Sequence, residues 1–475
     1  MFMLDAYWMP NVRANANCKL NDSAWDLPFP SGLKSLSTRL GTPLIIYNGP
    51  CCDNTTYAAA GWPLVMGAPY EAGWARGQLS QIAAGSSRAF YAQLFAALQA
   101  EGMATFTQDF LDFHSWNFPA WAANETGNFE WLSGQADAAL AAGVPLQYCM
   151  ALPSDILASV AFDAVTNARA SQDYFAGSTM SAEIAKQSLL LSALGLRASK
   201  DNFQTSRVHL DRGWEQSPHF QAAAALLGGG PVGFSDALFY TDPAVLWPTI
   251  ALNGTLLQAS RPATTADRIG WGNAGSVRSA HCDLGGGGAR AYVVLQDTEF
   301  NPAFWCNASS ACSVPALLAS GDLFPPPSPA AAFLVWQYNN SACAAQGARA
   351  SACAFLLPQA PAYAPPPGLA FAPLPPDRTP WAAYTVAPVL PNNYTLLGEL
   401  GKLVALSPAR VRALGAAPAG AAGMAVTLAG APGETVTFAF VRPAAGGGGG
   451  PLSGAVVAVA ALSLGADGLL TTTLV

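Results

Sequence analysis

Over roughly the first 260 residues, short apolar runs alternate with longer stretches in which apolar residues recur every three or four positions. The runs "FMLDAYW" (2–8), "PLIIYN" (43–48), "MATFTQDF" (103–110), "PLQYCMA" (145–151), "AVTNARA" (164–170), "NFQTS" (202–206) and "PVGFSD" (231–236) predict strands. The stretches "SSRAFYAQLFAALQAEG", "NFEWLSGQADAALAAG", "SAEIAKQSLLLSALGL" and "SPHFQAAAALLGG" predict helices. Several open on Ser or Asn and close on Gly, as helix ends prefer. Repeated strand–helix alternation implies a parallel sheet, and this many units favour a (β/α)8 TIM-type barrel over an open sheet. Seven strands are predicted where a barrel needs eight, and the first is the expected absentee.

From about residue 276 the pattern changes to strand-like runs separated by loops rich in Pro and Gly, among them "RAYVVLQDTEF", "AAFLVWQYN", "ACAFLLP", "YTLLGEL" and "MAVTLAGAPGETVTFAFVRP". These predict an all-β C-terminal sandwich. The expected division is thus 1–270 for the barrel and 276–475 for the β domain. The last stretch, "GAVVAVAALSLGADGLLTTTLV", lacks the roughly 20 uninterrupted apolar residues of a membrane span, and "GADG" reads as a turn, so a terminal β-hairpin is expected and membrane insertion is not.

Composition narrows the function classes. Charged residues make up 11 % of the chain and the formal net charge is −7, which argues against a nucleic-acid footprint. Asn-x-Ser/Thr sequons begin at Asn21, Asn54, Asn124, Asn253, Asn307, Asn339 and Asn393, a set easier to accept in an extracellular or secretory-pathway protein. Among nine cysteines, Cys306 with Cys312 and Cys343 with Cys353 read as local disulfides, Cys18 as a partner for Cys51 or Cys52, and Cys149 as a free thiol. The chain opens "MFMLDAYWMP", inside an expected strand and with no signal-peptide pattern, so an upstream portion is expected to be missing. "GWGNAG" (270–275) fits a dinucleotide motif but follows "ADRI" rather than a strand. There is no GxSxG elbow and no HExxH, and four His supply no obvious metal set, so no cofactor is expected.

In a barrel, chemistry sits at the carboxyl ends of strands. The polar groups there are Asp5 and Trp8, Asp109 with Asp112 and His114, Arg169 with Asp173, and Asp236. Carboxylates converging on one mouth are what a glycosidase needs, one to attack an oxocarbenium-like centre and one to protonate the departing oxygen. Trp8, Trp62 and Trp116 are candidates for an apolar floor under a sugar ring. As bland alternatives, Asp109 could end a strand and cap its loop, Asp5 pair with an Arg, and Asp236 cap a helix.

Five patches carry a resemblance. "ATFTQDFLDF" resembles the fourth strand of the clan of melibiase-type α-galactosidases and raffinose synthases, which ends in a nucleophilic Asp. "NARASQDY" is similar to the clan's Arg-x-Ser-x-Asp, "LQYCMALPSDIL" to its fifth strand, "LDAYW" to its Asp-containing early strand, and "GGGPVGFSD" with the residues up to 268 to a Gly-Gly-Pro-Val-x-x-Ser-Asp strand and its sequel. The resemblance implies Asp109 as nucleophile and Asp173 as general acid/base. It implies Asp5 and Trp8 against the sugar, Arg169 on a hydroxyl, and Asp236 as an outlying member of the site. The clan's Lys two residues before the nucleophile is Thr107 here, and the second Asp of its early Asp-Asp pair is Ala6. The expected function is therefore retaining hydrolysis of α-linked, α-galactoside-like sugars, with transglycosylation of raffinose-synthase type or carbohydrate binding without turnover as alternatives.

Overall fold

The computed structural model describes the chain apart from residues 5–28, 30, 53–54, 73–74, 125, 179, 207–214, 266–276, 286–288, 298–322, 324–331, 340–343, 358–380, 419–420 and 445–451. The chain divides into two compact units, Met1–Arg169 with Ala193–Leu196, and Ala170–Ser192 with Arg197–Val475.

In chain order the strands of the first unit are β1 (Phe2–Leu4), β2 (Leu44–Asn48), β3 (Cys51–Cys52), β4 (Leu64–Ala72), β5 (Ala75–Ile82), β6 (Met103–Gln108), β7 (Leu146–Tyr148) and β8 (Val165–Arg169). Five of them pair in parallel in the order β1-β2-β6-β7-β8, matching the predicted runs. The helices Ala84–Ala100 and Gly127–Ala142 bury Tyr91, Phe95 and Trp131 beside Phe106 of β6, with Phe95 and Phe106 ring centres 5.0 Å apart. These helices touch closely: Ser87 Oγ donates to the Trp131 carbonyl at 2.7 Å. A Cβ on Gly134 would lie 2.8 Å from the Arg88 nitrogen, so only glycine fits that crossing. Between β2 and the first of these helices lies an antiparallel three-stranded sheet, order β3-β5-β4, that the strand–helix reading did not anticipate.

The first strand of the second unit is β9 (Arg197–Ser199), a short strand absent from the predictions. The predicted strands 202–206 and 231–236 are corrected: each contributes only a bridge residue, Phe203 pairing with Phe234 in parallel. The glycine run before 231–236 has a steric cause. Gly229 has φ +81°, and a Cβ on Gly230 would lie 2.4 Å from the Ala198 carbonyl oxygen.

The rest of this unit is antiparallel. β10 (Thr264–Thr265), β11 (Val277–Leu284), β12 (Ala289–Asp297), β13 (Phe333–Gln337), β14 (Ala354–Leu356) and β15 (Trp381–Pro388) form one sheet in the order β10-β11-β12-β15-β13-β14. The last six strands are β16 (Thr395–Glu399), β17 (Val411–Ala416), β18 (Met424–Ala429), β19 (Thr435–Arg442), β20 (Val456–Ser463) and β21 (Leu469–Leu474). They form two three-stranded sheets, β16-β19-β20 and β17-β18-β21. Leu414, Val426, Leu428 and Leu474 of one sheet share an apolar core with Val436, Phe438, Phe440 and Ala458 of the other. The expected terminal hairpin is therefore corrected. β20 pairs with β19 and β21 with β18, so the "GADG" turn carries the chain from one sheet to the other. That turn packs on an earlier one, with the Gly430 N–H donating to the Gly468 carbonyl at 2.9 Å.

Arg410 is fully buried among these sheets between Glu399 and Glu434, with Nε 2.7 Å from Glu399 and Nη2 2.6 Å from Glu434. Lys402 Nζ donates to the Trp247 and Ile250 carbonyls, and Glu434 accepts the Leu252 N–H, tying the 247–252 loop to the same network.

Cys149 is not disulfide-bonded, as expected; nor is Cys51, which removes it as a partner for Cys18. Cys353 is disulfide-bonded. Cys18, Cys306, Cys312 and Cys343 lie outside the described residues. Among the described residues no helix is long and apolar enough to cross a membrane.

Candidate active site at the strand ends of the parallel sheet

Pairing register decides which side chains of the parallel sheet share a face. Tyr47, Thr107, Gln147 and Asn167 are successive partners across β2, β6, β7 and β8. Side chains two residues apart on a strand point the same way. The next tier toward the carboxyl ends is therefore Asp109, Cys149 and Arg169. The lower tier is polar and buried: Thr107 is fully buried and its hydroxyl donates to Gln147 Oε1 at 3.4 Å.

Asp109 stands one residue past β6 and is 8 % exposed. Its N–H donates to the Asn48 carbonyl at 2.9 Å, which continues the ladder to the strand end. The next residue, Phe110, turns into the left-handed region at φ 58°, and its N–H donates to Asp109 Oδ1 at 2.7 Å. Burial pushes the carboxyl above the usual carboxylate range. A hydrogen bond from the Cys149 thiol, the charge of Arg169, the Phe110 N–H and the Tyr47 hydroxyl pull in the opposite direction. Donors from two neighbouring strand ends and the charge of a third thus converge on one buried carboxylate. Behind it, Gln108 takes hydrogen bonds from Tyr91 at 3.2 Å and Gln135 at 2.7 Å, and its own amide donates to the Asp109 carbonyl at 3.0 Å.

After Asp109 the helix Leu111–Trp116 presents a run of rings, with Phe110 and Phe113 5.2 Å apart and Phe113 and Trp116 4.2 Å apart. Trp116 is 54 % exposed, as a sugar-stacking ring would need to be. Trp62, in contrast, is half-buried and packs edge-on to Phe90 at 5.3 Å. His114 is buried among Phe118, Trp121 and Trp131, and burial brings its imidazole down to about 3, so it is neutral at physiological pH. Asp112 Oδ1 accepts the Phe113 N–H. Asp5 and Trp8 lie outside the described residues.

The second unit carries the remaining candidates. Asp173 is exposed on an irregular segment. Beside it Tyr174 donates its N–H to Asp201 at 2.6 Å and its hydroxyl to Glu215 at 2.7 Å, while Lys200 Nζ stands 4.9 Å over its ring. Asp236 accepts from the Thr205 N–H and hydroxyl at 2.8 and 2.7 Å and from the Ser206 N–H at 3.0 Å. Its two oxygens therefore fasten the 202–206 segment. Among the described residues no group of three or more His, Cys, Asp or Glu is arranged to hold a metal ion.

Sequence reasoning missed Tyr47 and the contact of Cys149 with Asp109. Their signal was present, since "IIYN" ends level with Gln108 and "LQYC" level with Asp109. It missed Lys200, Asp201 and Glu215 because no strand was predicted at 197–199 and Glu215 sits in no motif.

No family model and no curated protein matches the chain. Solved structures do. A GH27 β-L-arabinopyranosidase from Geobacillus stearothermophilus is 12 % identical over 78 % of this chain and 81 % of its own, with a TM-score of 0.48. A GH36 α-galactosidase from the same organism, in complex with raffinose, is 10 % identical over 82 % of this chain and 51 % of its own, with a TM-score of 0.49. An α-galactosidase from Thermus thermophilus, in complex with stachyose, is 20 % identical over 46 % of this chain and 52 % of its own, with a TM-score of 0.35. The chain thus spans about half the length of the two α-galactosidases. Its structural neighbours are GH27 and GH36 glycosidases at low sequence identity.

Proposed function

We propose that the protein is a retaining glycoside hydrolase acting on α-linked, α-galactoside-like sugars. Asp109 attacks the anomeric carbon as the glycosidic C–O bond breaks, and Asp173 gives its proton to the departing oxygen. Water then attacks the glycosyl ester, Asp173 takes the water proton, and Asp109 leaves as a carboxylate. The observation that carries this reading is the surroundings of Asp109. It is a buried carboxylate at the carboxyl end of a parallel strand, held by donors from neighbouring strand ends and attracted by Arg169. A carboxylate that only capped a loop would have no need of Tyr47, Cys149 and Arg169 around it. A fixed, desolvated carboxylate is what a nucleophile requires. We read the 1–270 region as a barrel lacking its first strand and 276–475 as its β domain.

The test is turnover of aryl α-galactosides by the full chain and by Asp109→Asn. The variant is expected to lose at least about 1,000-fold in kcat/KM, roughly 4 kcal/mol of transition-state stabilisation. Equal turnover by wild type and variant would exclude the assignment. Product analysis with a sugar acceptor present separates hydrolysis from transfer. Sugar binding by calorimetry without turnover would leave a carbohydrate-binding protein.

A secretory-pathway location is the accompanying proposal, supported by seven sequons, of which Asn124, Asn253 and Asn339 are exposed. Expression in a secreting eukaryotic host should give a mass that falls on treatment with an amide-cleaving glycosidase. An unchanged mass would count against it.

A further inference from the structure

Asp173 sits on a segment that is tied down on both sides of it. Upstream, the Ala170 N–H donates to the Ser199 carbonyl at 2.7 Å, and the Asp201 N–H donates to Ser171 Oγ at 2.9 Å. Downstream, Tyr174 is held twice, through its N–H by Asp201 and through its hydroxyl by Glu215. The Gly177 N–H reaches the same Glu215 oxygen at 3.3 Å, and Gln221 Nε2 donates to the Ser178 carbonyl at 3.1 Å.

Glu215 is the unusual member. It is fully buried, and among the described residues four neutral donors hold it: Tyr174, Gly177, Ser217 at 2.8 Å and Gln221 at 2.9 Å. Burying a carboxylate among neutral donors is costly, so such a group usually has a task beyond stability. Two of its four donors belong to the segment that carries Asp173. The other two belong to the start of the buried helix Pro218–Leu227, a rigid support.

We propose that Asp201 and Glu215 form a clamp on Tyr174 that fixes the segment carrying Asp173, making all three positioning residues for proton transfer. The inference rests on the glycosidase reading. Proton donation matters only when the leaving group is a poor one. Loosening the clamp should therefore slow substrates in proportion to their need for acid assistance, whereas general damage to the fold would slow them all alike.

The experiment compares wild type with Tyr174→Phe, which keeps the ring under Lys200 and removes the hydroxyl that bonds Glu215 and the Gln204 backbone, and with Glu215→Gln. Phenyl and 2,4-dinitrophenyl α-galactosides are the substrates. For Tyr174→Phe the expected result is a loss of about 10-fold or more in kcat/KM on the phenyl substrate, out of the about 100-fold or greater contribution of a general acid. The dinitrophenyl substrate should change less than about 2-fold, because its departure needs no proton. Amide hydrogen exchange at Tyr174 and Gly177 should quicken in both variants. Equal losses on the two substrates would overturn the proposal, and so would unchanged exchange at those amides in Tyr174→Phe. If wild type turned over neither substrate, the glycosidase reading would fall by itself, and hydrogen exchange would still decide the clamp.

Discussion

The Asp109 carboxyl stands between two opposed demands, since burial favours its protonated form and the proposed attack on carbon requires the ionised one. Cys149, Arg169, the Phe110 N–H and Tyr47 all favour ionisation, and burial outweighs them. Removing a donor raises the carboxyl further. Tyr47→Phe and Cys149→Ala should each shift the acid limb of the kcat/KM–pH profile to higher pH, as a larger fraction of Asp109 becomes protonated at a given pH. An unmoved limb in both would show that Asp109 does not govern it. At this scale the sequence made the acids visible but not their partners. Asp109 stands out as an acid at the end of an apolar run and Asp173 by the motif around it, whereas Tyr47 and Cys149 look like ordinary core residues until the pairing register sets them on the strands beside Asp109. Thr107, which departs from the resembled pattern, proves to be a buried hydroxyl bonded to Gln147 below Asp109.

Among the elements, long helices and buried strands were legible because their patterns repeat. The expected helices at 86–102 and 128–143 are Ala84–Ala100 and Gly127–Ala142. β9 escaped because three residues, one of them the exposed Arg197, are too few for a period. The terminal strands were legible but their pairing was not, because a turn sequence does not say whether the next strand returns to the same sheet. The close crossing at Gly134 supplies a test of helix packing. Gly→Ala inside a helix normally helps by up to about 1 kcal/mol. Here the added methyl meets Ser87 and the Arg88 backbone at 2.8 Å. Gly134→Ala should instead lower stability by about 1–3 kcal/mol, read from the denaturant midpoint. A stabilised variant would contradict the packing.

For the whole molecule, the buried network of Arg410 with Glu399 and Glu434 anchors the β region. Arg410→Met leaves two carboxylates without their cation and should cost about 3–5 kcal/mol. Burial opposes ionisation of Glu434, yet the Arg410 guanidinium and the Ala431 and Leu252 N–H groups hold it down at about 2, against 4.5 when free. A depressed carboxyl contributes stability that is present in full above its unfolded value and lost as pH falls toward its folded one. The stability difference between wild type and Glu434→Gln should therefore shrink as pH drops from 4.5 toward 2. A constant difference would show that the charge is not what matters. In the proposed mechanism Asp109 forms a covalent bond to sugar. Mass spectrometry of the full chain after incubation with 5-fluoro-α-galactosyl fluoride, a slow-turnover substrate, should find one hexosyl adduct on the peptide containing Asp109 and none in Asp109→Asn. An adduct on another carboxylate, or turnover with no adduct at all, would contradict the account.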